Sequence, residues 1–274
     1  VASFEHKGCV VHYDVQGEGP DLLFMHGLTA DRRQSIDALD QLSGYRLITV
    51  DMPGHGDTKL PAEPGAGNTL EDIVSFAAFG ELAAALLDHL GVKKAIAGGI
   101  SMGSGIALRL AADRPDLVSA LLLVRPAWLD RPGRPHLGVI EDIGNWIAEL
   151  GADGAAKRLL THPLHVAASS DNPSCAASLE GATARPQAVE AAKVLPIMVA
   201  DQPFARIGEL QNLAIPALVI GNNADPLHPA MIAREISGAL ANSDYFHAPP
   251  KYLEPDAHKA AVSQRIAEFL EANR

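Results

Sequence analysis

Ser101 has the strongest claim to chemistry in this chain. It sits at the centre of Gly99-Ile100-Ser101-Met102-Gly103, between the apolar run Ala95–Ile100 and a small-residue stretch that reads as a helix over Met102–Asp113. A G-x-S-x-G pentapeptide between a strand and a helix puts the serine on a strained turn. Gly99 and Gly103 lack the Cβ atoms that would collide there with the neighbouring strand and helix. The hydroxyl then lies at the amino end of a helix, where backbone N–H groups face a developing anion. The simpler alternative is a glycine-rich turn whose serine only caps the helix. Serine is a weak nucleophile unless a base takes its proton and a carboxylate orients that base. Asp225, in the loop of IPALVIGNNADPLHP, is a candidate carboxylate, although it could simply cap the next helix. His228 shares that loop, lies too close to Asp225, and reads as a helix-start residue. His247 falls within the last apolar run, and His258 opens the terminal helix after PPKYLEPDA.

Two further features lie near the end of an apolar run, in ALLLVRPAWLD. In open parallel sheets ligands bind beyond the carboxyl ends of strands. Arg125 there is a candidate fork for a carboxylate or carbonyl on a substrate, or else a salt bridge tying one part of the fold to another. Trp128 and Trp146 are the two tryptophans, both within residues 125–210, and large rings there line an acyl pocket or pack a core.

These residues must be positioned by alternating strands and helices. Strands are expected at Cys9–Val15, Leu22–Met25, Arg46–Val50, Ala95–Ile100, Ala120–Val124, Ala217–Ile220 and Asp244–His247. Helices are expected at Arg33–Leu42, Leu70–Leu90, Met102–Asp113, Pro229–Leu240 and His258–Ala272. Val-, Ile- and Leu-rich strands separated by helices predict an α/β fold, a mostly parallel central sheet with helices on both faces. From about Arg125 to Leu210 the rhythm breaks, with helical patterns at Leu137–Leu150, Gly154–Leu160 and Arg185–Met198. At roughly 85 residues this is far longer than an ordinary connection, so it reads as a helical cap inserted at 125–210, between core segments 1–124 and 211–274.

Bulk composition narrows the function classes. Of 274 residues, 47% are apolar and 20% charged, ordinary for a globular chain with a sizeable core. A net charge of −11 argues against general nucleic-acid binding. Two distant cysteines, Cys9 and Cys175, exclude a disulfide scaffold, offer no metal cluster, and fit a reduced cytoplasmic setting. The first residues, VASFEHKG, show no basic region followed by an apolar core, and no run approaches the ~18 apolar residues of a membrane span.

With its strand–elbow–helix context, the chain resembles the α/β-hydrolase family over nearly all of its length outside the cap. PDLLFMHGLTADRRQS is similar to the family's strand and HG turn, and LITVDMPGHGD to its D-x-x-G-x-G pattern, carried here by Asp51, Gly54 and Gly56. The resemblance implies an oxyanion hole from the backbone N–H groups of Leu28 and Met102, with His26 and His55 structural. It also implies an acid in the G-x-x-D-x-x-x-P loop, where Gly221, Asp225 and Pro229 match; Asp130 is a weaker acid by analogy with other relatives. The base is expected in the last loop, which selects His258, although Ala257 stands where many relatives have glycine.

The expected function is hydrolysis of a carboxylic ester of a small or medium molecule through an acyl-enzyme on Ser101, with no cofactor and no metal. Lactone opening, diketone C–C cleavage, amide cleavage and cofactor-free perhydrolysis use the same groups. A non-catalytic ligand receptor on the same scaffold is the alternative from another class. Dehalogenases and epoxide hydrolases of this family carry Asp where this chain has Ser101. The substrate and the oligomeric state are not encoded legibly.

Overall fold

In a computed structural model describing residues 1–62, 69–133 and 135–273, the apolar runs become one sheet. Among the described residues its eight strands are β1 (Ala2–His6), β2 (Cys9–Gln16), β3 (Asp21–Met25), β4 (Arg46–Val50), β5 (Ala95–Ile100), β6 (Val118–Val124), β7 (Ala217–Asn222) and β8 (Ser243–Ala248). They lie in the order β1-β2-β4-β3-β5-β6-β7-β8. β1 and β2 pair antiparallel, and β3 to β8 run parallel. The α/β expectation is met. β1 was not anticipated, because ASFEH is an exposed edge strand without an apolar run.

Flanking helices are α1 (Arg32–Ala38), α2 (Phe76–His89) and α3 (Met102–Asp113). Between β6 and β7 come α4 (Gly138–Leu159), α5 (Pro163–Asp171), α6 (Pro173–Thr183) and α7 (Val194–Ala200), then a 3-10 turn at Ile207–Asn212. The chain closes with α8 (Ala230–Ala239) and α9 (Pro255–Ala272). Period-two alternation splits the strand residues between two cores. Leu23 and Met25 belong to one core with residues of α2, α3 and α8, whereas Leu22 and Phe24 belong to the opposite one with Val262, Ile266 and Phe269 of α9.

Local chemistry explains where helix boundaries differ from expectation. α2 starts at Phe76 rather than Leu70 because Ser75 caps it, its Oγ accepting from Ala78 N–H. α5 and α6 each begin with proline, after the caps His162 and Asn172. Their Ala- and Ser-rich sequences carry too little periodicity to be recognised. The helix expected at Arg185–Met198 is helical only from Val194.

The parallel order aligns the carboxyl ends of β3, β5, β6 and β7, so the turns after Met25, Ile100, Val124 and Asn222 meet at one edge. The turn after β3 is held from below. Met52 N–H donates to His26 Nε2, which leaves the His26 proton on Nδ1, and that proton is donated to the Gly27 carbonyl at 2.8 Å. His55 Nε2 lies 2.7 Å from the Leu28 carbonyl. The Asp51 carboxylate accepts from Arg32 N–H and Asp57 N–H and pairs with the Arg32 guanidinium. Gly56, at φ +51°, sits where a Cβ would overlap that carboxylate, so the D-x-x-G-x-G spacing is steric.

His26 and His55 are fully buried, and burial pushes both imidazoles below their ordinary pKa, His55 strongly. His258, also buried, is lowered to about 4, chiefly by burial. Their folded-state values lie below the unfolded value near 6.5. Below that pH the unfolded chain binds more protons, so stability is full above it and is lost as pH falls. Each such group contributes a slope of up to about 1.4 kcal/mol per pH unit. The expected outcome in urea titrations is stability that falls steadily from pH 7 to pH 5. His55→Gln should show a shallower slope; a pH-independent midpoint would contradict neutral burial.

Candidate functional site

Ser101 ends β5 and opens α3 with φ 57° and ψ −110°, a conformation L-residues rarely adopt. A Cβ at Gly99 would lie 2.5 Å from the Met25 carbonyl oxygen and 2.6 Å from the Gly103 carbonyl carbon, and one at Gly103 would overlap the Met25 carbonyl. The two glycines therefore let β5 and α3 press against the end of β3. Ser101 N–H is anchored to the Val124 carbonyl at 2.9 Å, and Ser104 Oγ to the Gly99 carbonyl at 2.8 Å. The Ser101 hydroxyl is thus presented from a fixed backbone.

A chain of hydrogen bonds runs from that hydroxyl. Ser101 Oγ is 2.9 Å from His228 Nε2, and His228 Nδ1 is 2.9 and 3.0 Å from the two carboxylate oxygens of Asp225. With the imidazole proton on Nδ1 and donated to Asp225, Nε2 is left to accept from the serine. All three side chains are buried. The sequence reading expected His258 beside Ser101, and the structure places His228 there. His258 Nδ1 instead lies 2.7 Å from the Pro249 carbonyl, where it pins the loop before α9. His247 meets the Tyr245 hydroxyl on an exposed part of β8.

His228 was set aside as too near Asp225, and the loop shows why nearness is no obstacle. Asp225 Oδ1 accepts from the backbone N–H groups of both Leu227 and His228, each at 3.2 Å, closing a side-chain turn. That turn folds the imidazole back over the carboxylate three residues earlier. The available signal was D-x-x-H directly after a buried strand. Ala224, at φ +53°, precedes the turn, and Asn172 of the helical segment holds its carbonyl at 3.1 Å.

Arg125, at φ +49°, supplies the remaining contact to the acid. Its Nη1 donates to Asp225 Oδ2 at 2.9 Å and lies 3.5 Å from His228 Nδ1. Both nitrogens are donors, so they share the carboxylate. Of the two readings of Arg125 offered by the sequence, a substrate fork and a salt bridge, the contact seen is a salt bridge, with Asp225 as the partner. Burial alone would raise the Asp225 pKa, but His228 and Arg125 together hold it well below the usual carboxylate range. Burial lowers the His228 pKa, with Arg125 and Lys251 acting in the same direction and Asp225 opposing.

The cavity over Ser101 is about 60 Å³ and is lined by Leu28, Arg125, Trp128, His228, Lys251 and Tyr252, among others. Trp128, its Nε1–H donated to the Met198 carbonyl at 3.0 Å, packs edge-on to Phe76 and faces this cavity. Trp146 does not line it; it meets His162 edge-on and lies under the Arg158 guanidinium. Asp130 accepts from Ile207 N–H, remote in role from the serine. The Gly27–Leu28 peptide is fixed by its carbonyl, which accepts from His26 Nδ1 and from Ala30 N–H at 3.1 Å. In a trans peptide the Leu28 N–H points the opposite way. Met102 N–H is at the first position of α3, where no intrahelical acceptor exists. Sequence reasoning missed His228 as a serine partner and missed Lys251, Tyr252 and Ser178 in the cavity wall.

A family model described as alpha/beta hydrolase fold matches residues 20–252. The chain belongs to that family. Among curated relatives of this hydrolase-fold chain, the pimeloyl-[acyl-carrier protein] methyl ester esterase of Nitrosomonas europaea is 27% identical over 225 residues, 80% of this chain and 83% of that protein. The dihydrolipoyllysine-residue acetyltransferase component of the acetoin cleaving system of Cupriavidus necator is 35% identical over 121 residues, covering 43% of this chain and 30% of that protein. The match to AB hydrolase superfamily protein YisY of Bacillus subtilis is 31% identical and spans half of each chain. Several curated relatives are therefore matched over half their length or less. A solved thermophilic esterase from Thermogutta terrifontis superposes with TM-score 0.73 at 21% identity, covering 97% of this chain and 94% of that one. The enol-lactonase of Burkholderia xenovorans LB400 gives 0.72 at 23%, covering 96% and 97%. At these identities the superpositions establish the fold.

Removing the Arg125 cation removes one of the influences that keep His228 neutral. Arg125→Met is expected to raise the His228 pKa read by NMR titration of the imidazole. An unchanged or lower value would mean that Arg125 has no electrostatic hold on the pair.

Proposed function

We propose that the chain is a serine hydrolase that cleaves carboxylic esters of small or medium molecules through an acyl-enzyme, with Ser101, His228 and Asp225 as its triad. The observation that carries this reading is the 2.9 Å contact between Ser101 Oγ and His228 Nε2, with the far side of the imidazole on Asp225. His228 takes the serine proton as Oγ attacks the acyl carbon, then gives it to the departing alcohol. Asp225 keeps the imidazole in the tautomer with its proton on Nδ1 and stabilises the imidazolium. The N–H groups of Leu28 and Met102 receive the oxyanion, at about 3–4 kcal/mol per donor. Water, deprotonated by His228, then releases the acid. No cofactor or metal enters this scheme.

Residues 125–210 act in this reading as a cap, since Trp128, Leu137, Ile140 and Ser178 close the cavity from that segment. The substrate is a small molecule. Among the described residues no helix is long and apolar enough to cross a membrane. Buried free thiols at Cys9 and Cys175 suit a reducing, cytoplasmic location.

Hydrolysis of p-nitrophenyl acetate tests the assignment. Ser101→Ala should lose about 10⁴-fold or more in kcat while remaining folded, and His228→Ala should come close to it. His258→Gln and His247→Ala should cost far less. A dead His258→Gln beside an active His228→Ala, both folded, would return the base to the last loop.

The pH profile follows from the His228 environment. The neutral imidazole is the active form and its pKa is lowered by burial, so kcat/KM should be level above neutrality. It should fall only as pH drops below the ordinary histidine value near 6.5. An acid limb centred above pH 7 would contradict the buried, neutral base.

A further inference from the structure

Lys251 lines the same cavity as Ser101 and His228. Among the described residues it has no hydrogen bond and no ion pair, and its ammonium rests over the Tyr252 ring at 4.8 Å. The charges around it are Arg125 and Asp225, with the buried thiol of Cys175 also near. Asp225 is already committed, for Arg125, His228 Nδ1 and two backbone N–H groups occupy its oxygens. With His228 neutral, the cavity wall holds two cations, Arg125 and Lys251, and the one anion, Asp225, lies behind it, a surplus of one positive charge. Crowding an ammonium against apolar walls beside a guanidinium is costly unless an anion compensates it.

The lysine is held there by its loop. Pro249 and Pro250 restrict the backbone before it, and the Pro249 carbonyl is fixed by His258. Glu254 N–H closes back on the Pro250 carbonyl at 2.8 Å. Beyond Lys251, the Tyr252 hydroxyl donates to Ser178 Oγ at 3.4 Å, tying this loop to α6. Burial lowers the amine to about 8, so it is mostly charged at neutral pH.

We propose that Lys251 anchors a carboxylate carried by the substrate itself, so that the preferred substrates are short esters bearing a second, free carboxylate near the scissile acyl group. A monoanion matches the single surplus charge, whereas a phosphate dianion does not. The cavity is small, about 60 Å³, which keeps the spacer short. This inference rests on the serine-hydrolase reading for the reaction, but the binding it describes is independent of turnover.

The probe pair is monomethyl succinate and its neutral isostere methyl succinamate. Wild-type protein should prefer the acid by at least tenfold in kcat/KM. Lys251→Met should bring that ratio to about one, and Lys251→Arg should restore much of it. A ratio near one in the wild type, or one unmoved by Lys251→Met, overturns the proposal. Calorimetry with Ser101→Ala, which cannot form the acyl-enzyme, separates the two readings. Monomethyl succinate should bind it at least tenfold more tightly than it binds Ser101→Ala/Lys251→Met; equal affinities overturn the anchor. Should wild type cleave p-nitrophenyl acetate but neither succinate ester, the substrate proposal is overturned and the hydrolase reading stands; should it cleave none of the three, the hydrolase reading fails and the calorimetric comparison alone decides Lys251. A melting temperature for Lys251→Met at or above wild type would show that a lost preference is not lost folding.

Discussion

Everything at this site depends on how closely β5 and α3 approach the end of β3. The backbone of Gly99 and Gly103 lies against the Met25 carbonyl at distances no Cβ tolerates. Only this approach permits Ser101 its φ of 57° and puts the first turn of α3 beside the turn after β3. Parallel pairing of β3 with β5, in the register Met25 opposite Gly99, sets that meeting point. The strain is supported from several directions, because the Val124 carbonyl holds Ser101 N–H and Ser104 ties Gly99 from the helix side. A backbone so restrained does not reorganise when a carbonyl oxygen becomes an oxyanion, which is the condition under which fixed donors contribute most.

Around this elbow the fold uses buried neutral imidazoles as struts. His26 holds the carbonyl of the peptide that carries the Leu28 N–H, and His55 holds the next carbonyl. His55 belongs to the Asp51 loop and His26 accepts from Met52 N–H of it, and that loop's carboxylate is closed by Arg32 and made possible by Gly56. The HG turn and the D-x-x-G-x-G loop are therefore one device, the second fixing the histidine contacts that orient the first. His258, which sequence position suggested as a base, has a similar structural part: it pins the loop that carries Lys251.

The sequence disclosed what short-range pattern dictates. The elbow, the HG turn, the strands from β2 to β8 and the acid loop were legible because each is a run of apolar residues ending in steric punctuation. The partner of Ser101 was not legible, because it depends on the path of one loop. Distance along the chain made His228 look unsuited to pair with Asp225, yet two backbone donors bend the loop so that proximity becomes the means of pairing. The roles of Arg125 and Lys251 were hidden for a similar reason. Only the assembled edge of the sheet shows that one carboxylate serves Arg125 and His228 while Lys251, among the described residues, has no ion-pair partner. The helices α5 and α6 escaped because Ala- and Ser-rich segments carry little periodicity.

The two cations pose an electrostatic problem for the catalysis proposed on Ser101, and the proposed substrate resolves part of it. Arg125 and Lys251 both disfavour protonation of His228. Before substrate arrives this is useful, since it keeps Nε2 free to accept the serine proton. During attack the same charges oppose the imidazolium that must form. Asp225 lies between Arg125 and the imidazole and offsets the nearer cation, since one carboxylate bonds both. Lys251 has no such intermediary. A substrate carboxylate resting against its ammonium would supply one, cancelling the lysine's repulsion only while substrate occupies the cavity. His228 would then be a weak base in the free protein and a stronger one in the complex. Proton acceptance would thereby be tied to the presence of the acyl group it serves. A neutral ester of the same shape would leave Lys251 uncompensated, so the lysine would discriminate through the basicity of His228 as well as through binding.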